Sequence, residues 1–208
     1  MNDNKILSQS IIHYWPEKNE SDKQIEVQIT ENWIRYLFFN FLKILSKYDL
    51  VDSSNYLERL NYEDVVNVGA GLCSQVSIGL SDYLNSLEIP SKIASLGGHV
   101  VVTVDTEKGP LVLDPDFNVY INKNLKDIEN NTRLIESAYR SFGYNETIIN
   151  KLKLIYSEES NLELNIKQLY PKRYFYYLTT NVLSWFIPLF FIVFSSYKII
   201  YLSRYEKK

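Results

Sequence analysis

The chain has 208 residues with a formal net charge of −3 at pH 7; 46% are apolar and 23% charged, and 2 are His and 1 is Cys. One cysteine excludes a disulfide framework and a cysteine-rich zinc module. Two histidines exclude a multi-histidine metal site, and the slightly acidic balance gives no general attraction to nucleic acid. The 17 Tyr, 10 Phe and 3 Trp are too much apolar surface to leave in water, so the chain is not a disordered tail.

Residues 1–30 form a polar N-terminal segment. Ile25, Val27 and Ile29 alternate with charged or amide neighbours, the pattern of a short edge strand. His13 stands beside Tyr14, Trp15 and Pro16 and reads as a surface or packing residue. Over 31–48, Trp33, Ile34, Leu37, Phe38, Phe41, Leu42, Ile44 and Leu45 recur at three- and four-residue spacing. This predicts an amphipathic helix with a wide apolar face, capped by Thr30, whose aromatics belong to a core. Ser53 or Ser54 caps a short helix running to Leu60.

A glycine-punctuated turn, Gly69-Ala70-Gly71-Leu72-Cys73-Ser74-Gln75, leads into Val76, Leu80, Tyr83, Leu84 and Leu87 at helical spacing, and that helix must end before Pro90. Three β-like runs follow: Ile93-Ala94-Ser95-Leu96, then His99-Val100-Val101-Val102-Thr103-Val104, then Leu111-Val112-Leu113. Gly97-Gly98 and Lys108-Gly109-Pro110 supply the turns between them. Residues 124–157 return to helical spacing through Leu125, Ile128, Leu134, Ile135, Tyr139, Ile148, Leu152 and Ile155. Helices, then strands, then helices indicate an α+β domain over 31–170, with a helix-start cysteine packed on a small antiparallel sheet.

The last part of the chain differs in kind. Residues 174–197 carry no charge between Arg173 and Lys198, and 182–194 are apolar on every side. A helix of ~20 such residues crosses the ~30 Å hydrocarbon core of a bilayer. Tyr174, Tyr176, Tyr177, Tyr197 and Tyr201 near the two ends fit an interfacial aromatic belt, and Pro188 is tolerated in a membrane helix. A transmembrane helix is therefore expected over 174–203. Lys167, Lys172 and Arg173 before it nearly balance Lys198, Arg204, Lys207 and Lys208 after it, which leaves orientation weakly specified. The first residues show no cationic stretch leading into an apolar core, so the expectation is a single-pass C-terminal anchor with a cytoplasmic domain.

The chemistry concentrates at three positions. Gly69 and Gly71 let the backbone turn sharply, and Cys73 falls at the start of a helix, where unpaired N–H groups and the helix dipole favour a thiolate and offer an oxyanion hole. Alone, a free cysteine is equally a small buried hydrophobe. His99 opens the strongest strand after two glycines. Asp114 ends the next strand, where it can hold the imidazole in one tautomer; Asp116 is the competing carboxylate, placed in the turn. Together they supply a nucleophile, a base and an orienting group. Asn130-Asn131-Thr132 and Asn145-Glu146-Thr147 match the glycosylation pattern by chance, and the Glu158-Glu159 pair reads as a solvated surface. Gly69-Ala70-Gly71 lacks the Lys-Ser/Thr of a phosphate loop, so no nucleotide, cofactor or metal is expected.

Gly69-Ala70-Gly71-Leu72-Cys73, Leu84 with Glu88-Ile89-Pro90-Ser91-Lys92, Gly98-His99-Val100-Val101-Val102-Thr103-Val104 and Leu113-Asp114-Pro115 resemble, in this order, the core of the transglutaminase-like superfamily over about residues 60–122. The resemblance implies a papain-like cysteine-protease fold with Cys73, His99 and Asp114 as nucleophile, base and orienter. It implies acyl transfer from a peptide, protein or amide substrate to water or to an amine. Two departures, Ser74-Gln75 after the cysteine and Gly109-Pro110-Leu111 ahead of the aspartate, mean that the substrate class is not carried over. They also motivate the alternative of a catalytically silent, membrane-tethered binding or scaffold module.

Overall fold

The computed structural model describes residues 27–56, 58–68, 71–157 and 161–205. His13, Ile25, Gly69, Ala70, the Glu158-Glu159 pair, Lys207 and Lys208 lie outside the described residues. The chain divides into two compact units, one holding 58–171 and the other holding 27–57 with 172–208. The helix at 31–48, grouped by sequence with the 31–170 domain, thus belongs with the C-terminal helix.

The first unit is α+β. It contains α2 (Tyr62–Val68), α3 (Cys73–Ser86), β1 (Ser91–Leu96), β2 (His99–Thr106), β3 (Gly109–Asp114), β4 (Val119–Ile121), α4 (Leu125–Asn130), α5 (Arg133–Ser141), α6 (Glu146–Tyr156), β5 (Leu162–Leu164) and α7 (Ile166–Leu169). The strands form one antiparallel sheet in the order β4-β3-β2-β1-β5. The expected three strands are its centre. The edge strands β4 and β5 are three residues each, too short to show a period of their own, and are defined by pairing with β3 and β1.

Alternation along the strands sends side chains to opposite faces. On one face Val102, Val104 and Leu113 pack with Val76, Leu80 and Leu84 of α3. On the other, Ala94, Leu96, Val101, Val112, Val119 and Ile121 pack with Leu125, Ile128, Ile135, Tyr139, Ile149, Leu152 and Tyr156 from α4, α5 and α6. The central strand β2 is covered on both faces, which is why 100–104 reads as an unbroken apolar run rather than an alternating one. Helix α3 also meets α2: a Cβ on Gly79 would stand 3.0 Å from the Val65 side chain, so this glycine permits a close approach.

Sequence boundaries shift where side chains cap or tie the backbone. The helix expected to run to Leu60 is only a 3-10 turn at Ser53–Tyr56. Residues 58–60 are not helical because the Arg59 backbone N–H and C=O are both bonded to the Gln75 side chain, at 2.7 Å each. Helix α2, which the sequence reading missed, starts where the Asn61 side chain accepts from Asp64 N–H at 2.7 Å. The helical stretch 124–157 breaks into three, at Asn131-Thr132 and at Gly143 with φ 87°. Asn145 caps α6 by accepting from Ile148 N–H, a structural use for one of the two glycosylation-like triplets.

The second unit contains α1 (Trp33–Ser46), the Ser53–Tyr56 turn and α8 (Pro171–Tyr205). Asn32, not Thr30, caps α1, its side chain accepting from Arg35 N–H at 2.9 Å. Of the expected edge strand, 27–29 is not extended pairing; the chain turns there, with Glu31 N–H bonded to the Gln28 carbonyl. Helix α8 is long and apolar enough to cross a membrane: its most apolar 18-residue window, within Pro171–Ser203, has mean hydropathy 1.7 and 6% of it is buried.

Replacing Leu80, fully buried between α3 and the sheet, with alanine should lower unfolding free energy by about 2–5 kcal/mol. Chemical denaturation of the detergent-solubilised chain, followed by near-UV circular dichroism of the buried tyrosines Tyr139 and Tyr156 of the same unit, reads this directly.

Candidate functional site

The site assembles where β2 begins and β3 ends. A two-residue loop, Gly97-Gly98, joins β1 to β2 with Leu96 opposite His99, and Gly98 at φ 103° takes the backbone conformation that a side chain would oppose. His99 is therefore held at the end of the sheet as the first residue of β2. Because β3 runs antiparallel to β2, its last residue, Asp114, returns to the same end. The turn after it is held by Phe117 N–H donating to Asp114 Oδ1 at 3.3 Å and by Asn118 in the left-handed region.

His99 Nε2 lies 2.8 Å from Asp114 Oδ2, with the two side chains 5% and 2% exposed. Asp114, not Asp116, is thus the carboxylate on the imidazole. The Tyr139 hydroxyl of α5 donates to the same Oδ2, and the Tyr156 hydroxyl of α6 is 3.2 Å from that of Tyr139. Each hydroxyl has one proton; with Tyr139 committed to Asp114, Tyr156 donates to Tyr139. Burial and the neighbouring Asp114 charge hold both phenols well above the ordinary tyrosine range, so they remain donors. Phe117 packs edge-on to His99 (5.5 Å between centroids), Tyr139 (5.8 Å) and Tyr144 (5.3 Å), and Tyr144 donates to the Phe117 carbonyl at 2.6 Å.

Cys73 is the first residue of α3 and is partly exposed. It comes from the helix packed on the sheet and lies near enough to His99 to help raise the pKa of its ring. With Nε2 on Asp114, the ring nitrogen left for the sulfur is Nδ1. Burial by itself disfavours the charged ring; the Asp114 carboxylate, and after it Cys73, outweigh this and push the His99 pKa from 6.5 up to about 10. The imidazole is thus an imidazolium at neutral pH. Ser77 Oγ of α3 donates to the Val100 carbonyl at 2.8 Å, which fixes the cysteine helix against the residue after His99. The N-cap of α3 is Leu72, which offers no side-chain acceptor, and the bond back to its carbonyl comes from Val76 N–H. The first-turn N–H groups beside the sulfur are therefore not used by a cap.

Ser74 and Gln75, the residues that depart from the family pattern, are occupied structurally. Ser74 donates to Glu58 and Gln75 clamps the Arg59 backbone. Tyr139, Tyr156 and Phe117 were not legible as site residues: they stand 25, 42 and 3 positions from Asp114 with no local motif. The only sequence signal of Tyr139 and Tyr156 is helical apolar spacing, which marks a core position and not a hydroxyl's target, and Phe117 sits in a turn with no spacing at all. Among the described residues, no group of three or more His, Cys, Asp or Glu is arranged to hold a metal ion. No family model, curated protein or solved structure matches the chain.

Three outcomes follow from this geometry. Replacing Asp114 with asparagine removes the main support of the imidazolium, so the His99 pKa should drop from about 10 toward 6.5, read by imidazole NMR titration. The sign for stability is fixed: a pKa raised on folding stabilises fully below about 6.5 and the gain is lost as pH rises through about 10. The wild-type unfolding midpoint should decline across that window more than that of Asp114→Asn. Tyr139→Phe, which removes a buried donor from a carboxylate, should cost about 1.5–3 kcal/mol in the same denaturation measurement.

Proposed function

We propose that the chain is a membrane-anchored, thiol-dependent acyl-transfer enzyme of transglutaminase-like, papain-like fold, with Cys73 as nucleophile, His99 as acid and base, and Asp114 as orienter. The observation that carries the reading is one buried imidazole held by Asp114 at 2.8 Å, with the helix-start Cys73 near enough to contribute to the rise of its pKa. The thiolate is the nucleophilic form of a cysteine.

In the first half-reaction the Cys73 thiolate attacks the carbonyl carbon of an amide. A C–S bond forms and the C=O π pair moves to oxygen, where the free N–H groups at the start of α3 stabilise the oxyanion. The intermediate collapses, the C–N bond breaks, and the leaving amine takes the proton of the His99 imidazolium, which leaves a thioester. In the second half-reaction, water or an amine attacks the thioester and gives its proton to neutral His99. The C–S bond breaks and the thiolate–imidazolium pair returns. Asp114, held by Tyr139 and the Phe117 N–H, keeps the ring turned and stabilises its charge through both halves. Helix α8 anchors this chemistry to a bilayer. A functional free thiol suits the reducing, cytoplasmic side.

A silent scaffold is the second reading, favoured by the 5% exposure of His99. Alkylation by chloroacetamide and acyl transfer on a mixed peptide and amine library separate the two. Wild type should alkylate faster than an unperturbed thiol and form products. Cys73→Ala should form none, and His99→Ala should lose about 10²–10⁴-fold in acyl transfer. Ordinary thiol reactivity, unchanged by His99→Ala, would leave the scaffold reading standing.

A further inference from the structure

Helix α1 has three sides at ~100° per residue. Arg35 and Phe39 are buried on one, and Tyr36, Asn40 and Lys43 lie on a second, with Lys47 just past the helix end. The third starts with the buried Ile34 and then carries Leu37, Phe38, Phe41 and Ile44, all 48–56% exposed. The sequence reading assigned these aromatics to a core; the exposed face makes most of them surface. An apolar stripe of this kind in water needs a partner.

The rest of the second unit indicates which. Helix α8 has 35 residues, ~52 Å at ~1.5 Å per residue, against a ~30 Å hydrocarbon core. Its early part carries polar contacts. Asn32 Nδ2 donates to the Thr180 carbonyl at 3.3 Å and to Asn181 Oδ1 at 2.8 Å, and Arg35 Nη2 donates to the same Oδ1 at 3.0 Å. Trp33 Nε1 donates to the Ser184 carbonyl at 3.3 Å. Large apolar side chains are exposed both around these ties (Phe175, Leu178 and Val182, 46–69%) and beyond them (Phe186, Phe190, Ile192 and Phe194, 45–65%). The charge-free stretch 174–197 is ~36 Å long at ~1.5 Å per residue, slightly more than one hydrocarbon thickness. The ties at Thr180, Asn181 and Ser184 fall in the half of that stretch nearer its start. These polar ties come from the first turn of α1, and the apolar stripe follows it.

We propose that α1 is an in-plane membrane helix, its Leu37-Phe38-Phe41-Ile44 face seated at the acyl–headgroup boundary of the bilayer that α8 crosses, with Lys43 and Lys47 beside anionic headgroups. The amphipathic pattern with lysines on the polar side is the one that interfacial helices use. The inference rests on reading α8 as a membrane span.

The test uses the full chain carrying Cys73→Ser, which removes its one native cysteine. Phe41→Cys, Ile44→Cys and, as the polar-side control, Lys47→Cys are each labelled with an environment-sensitive NBD fluorophore. The proteins are reconstituted in phosphatidylcholine vesicles with a minority of phosphatidylglycerol. Labels at 41 and 44 should emit to the blue of that at 47, and be quenched several-fold more by doxyl-phosphatidylcholine than by iodide; the label at 47 should show the reverse. Iodide quenching at 41 and 44 equal to that at 47 overturns the proposal. So does a bismaleimide-linked dimer through position 41 with no lipid quenching, which would assign the face to a second copy. Alkaline carbonate extraction separates the two failures: protein released means that α8 does not span and both readings fall, whereas protein retained with iodide-accessible labels removes only the in-plane helix.

Discussion

The catalytic-type geometry depends on one buried contact, the Asp114 carboxylate against the His99 imidazole. A carboxylate 2% exposed is costly unless its lone pairs are satisfied. Asp114 meets three donors: the His99 ring, the Tyr139 hydroxyl and the Phe117 N–H. They come from β2, from α5 and from the turn after β3, so the contact holds a strand, a helix and a loop in register. Removing one partner of such an arrangement costs more than the contact itself stabilises, because the remaining charge stays buried. The imidazole passes the constraint onward, since a ring fixed by Asp114 through Nε2 can present only its other nitrogen to Cys73.

The sheet divides labour between its two faces. One holds the cysteine helix α3 through Val76, Leu80 and Leu84; the other holds the tyrosine-bearing helices that satisfy Asp114. Of the three chemical residues, Cys73 starts the helix on one face, while His99 and Asp114 stand at the ends of two adjacent strands. This arrangement explains why Ser74 and Gln75 tie down 58–60 instead of facing a substrate: the start of α3 has to be rigid for the sulfur to stay beside the ring.

Anchoring is a separate problem, solved in the other unit. There Asn181 Oδ1 accepts from both Asn32 and Arg35, and the Arg35 guanidinium also lies 4.3 Å above the Tyr177 ring. Polar groups on a long apolar helix are tolerable where they are paired, as Asn181 is with Asn32 and Arg35.

The sequence by itself determined the elements that carry a strong local period or a punctuating residue. These are the cysteine helix, the central hairpin with its glycine turn, and the apolar C-terminal helix. It also placed Cys73, His99 and Asp114 at element ends, because turn glycines and the Asp-Pro pair act within a few residues. Only the tertiary structure decided which carboxylate meets the imidazole, that Tyr139 and Tyr156 support it, that three-residue strands flank the sheet, and that α1 pairs with α8 and not with the α+β core. These depend on contacts between residues distant along the chain, and apolar spacing specifies that a side must be covered without specifying what covers it.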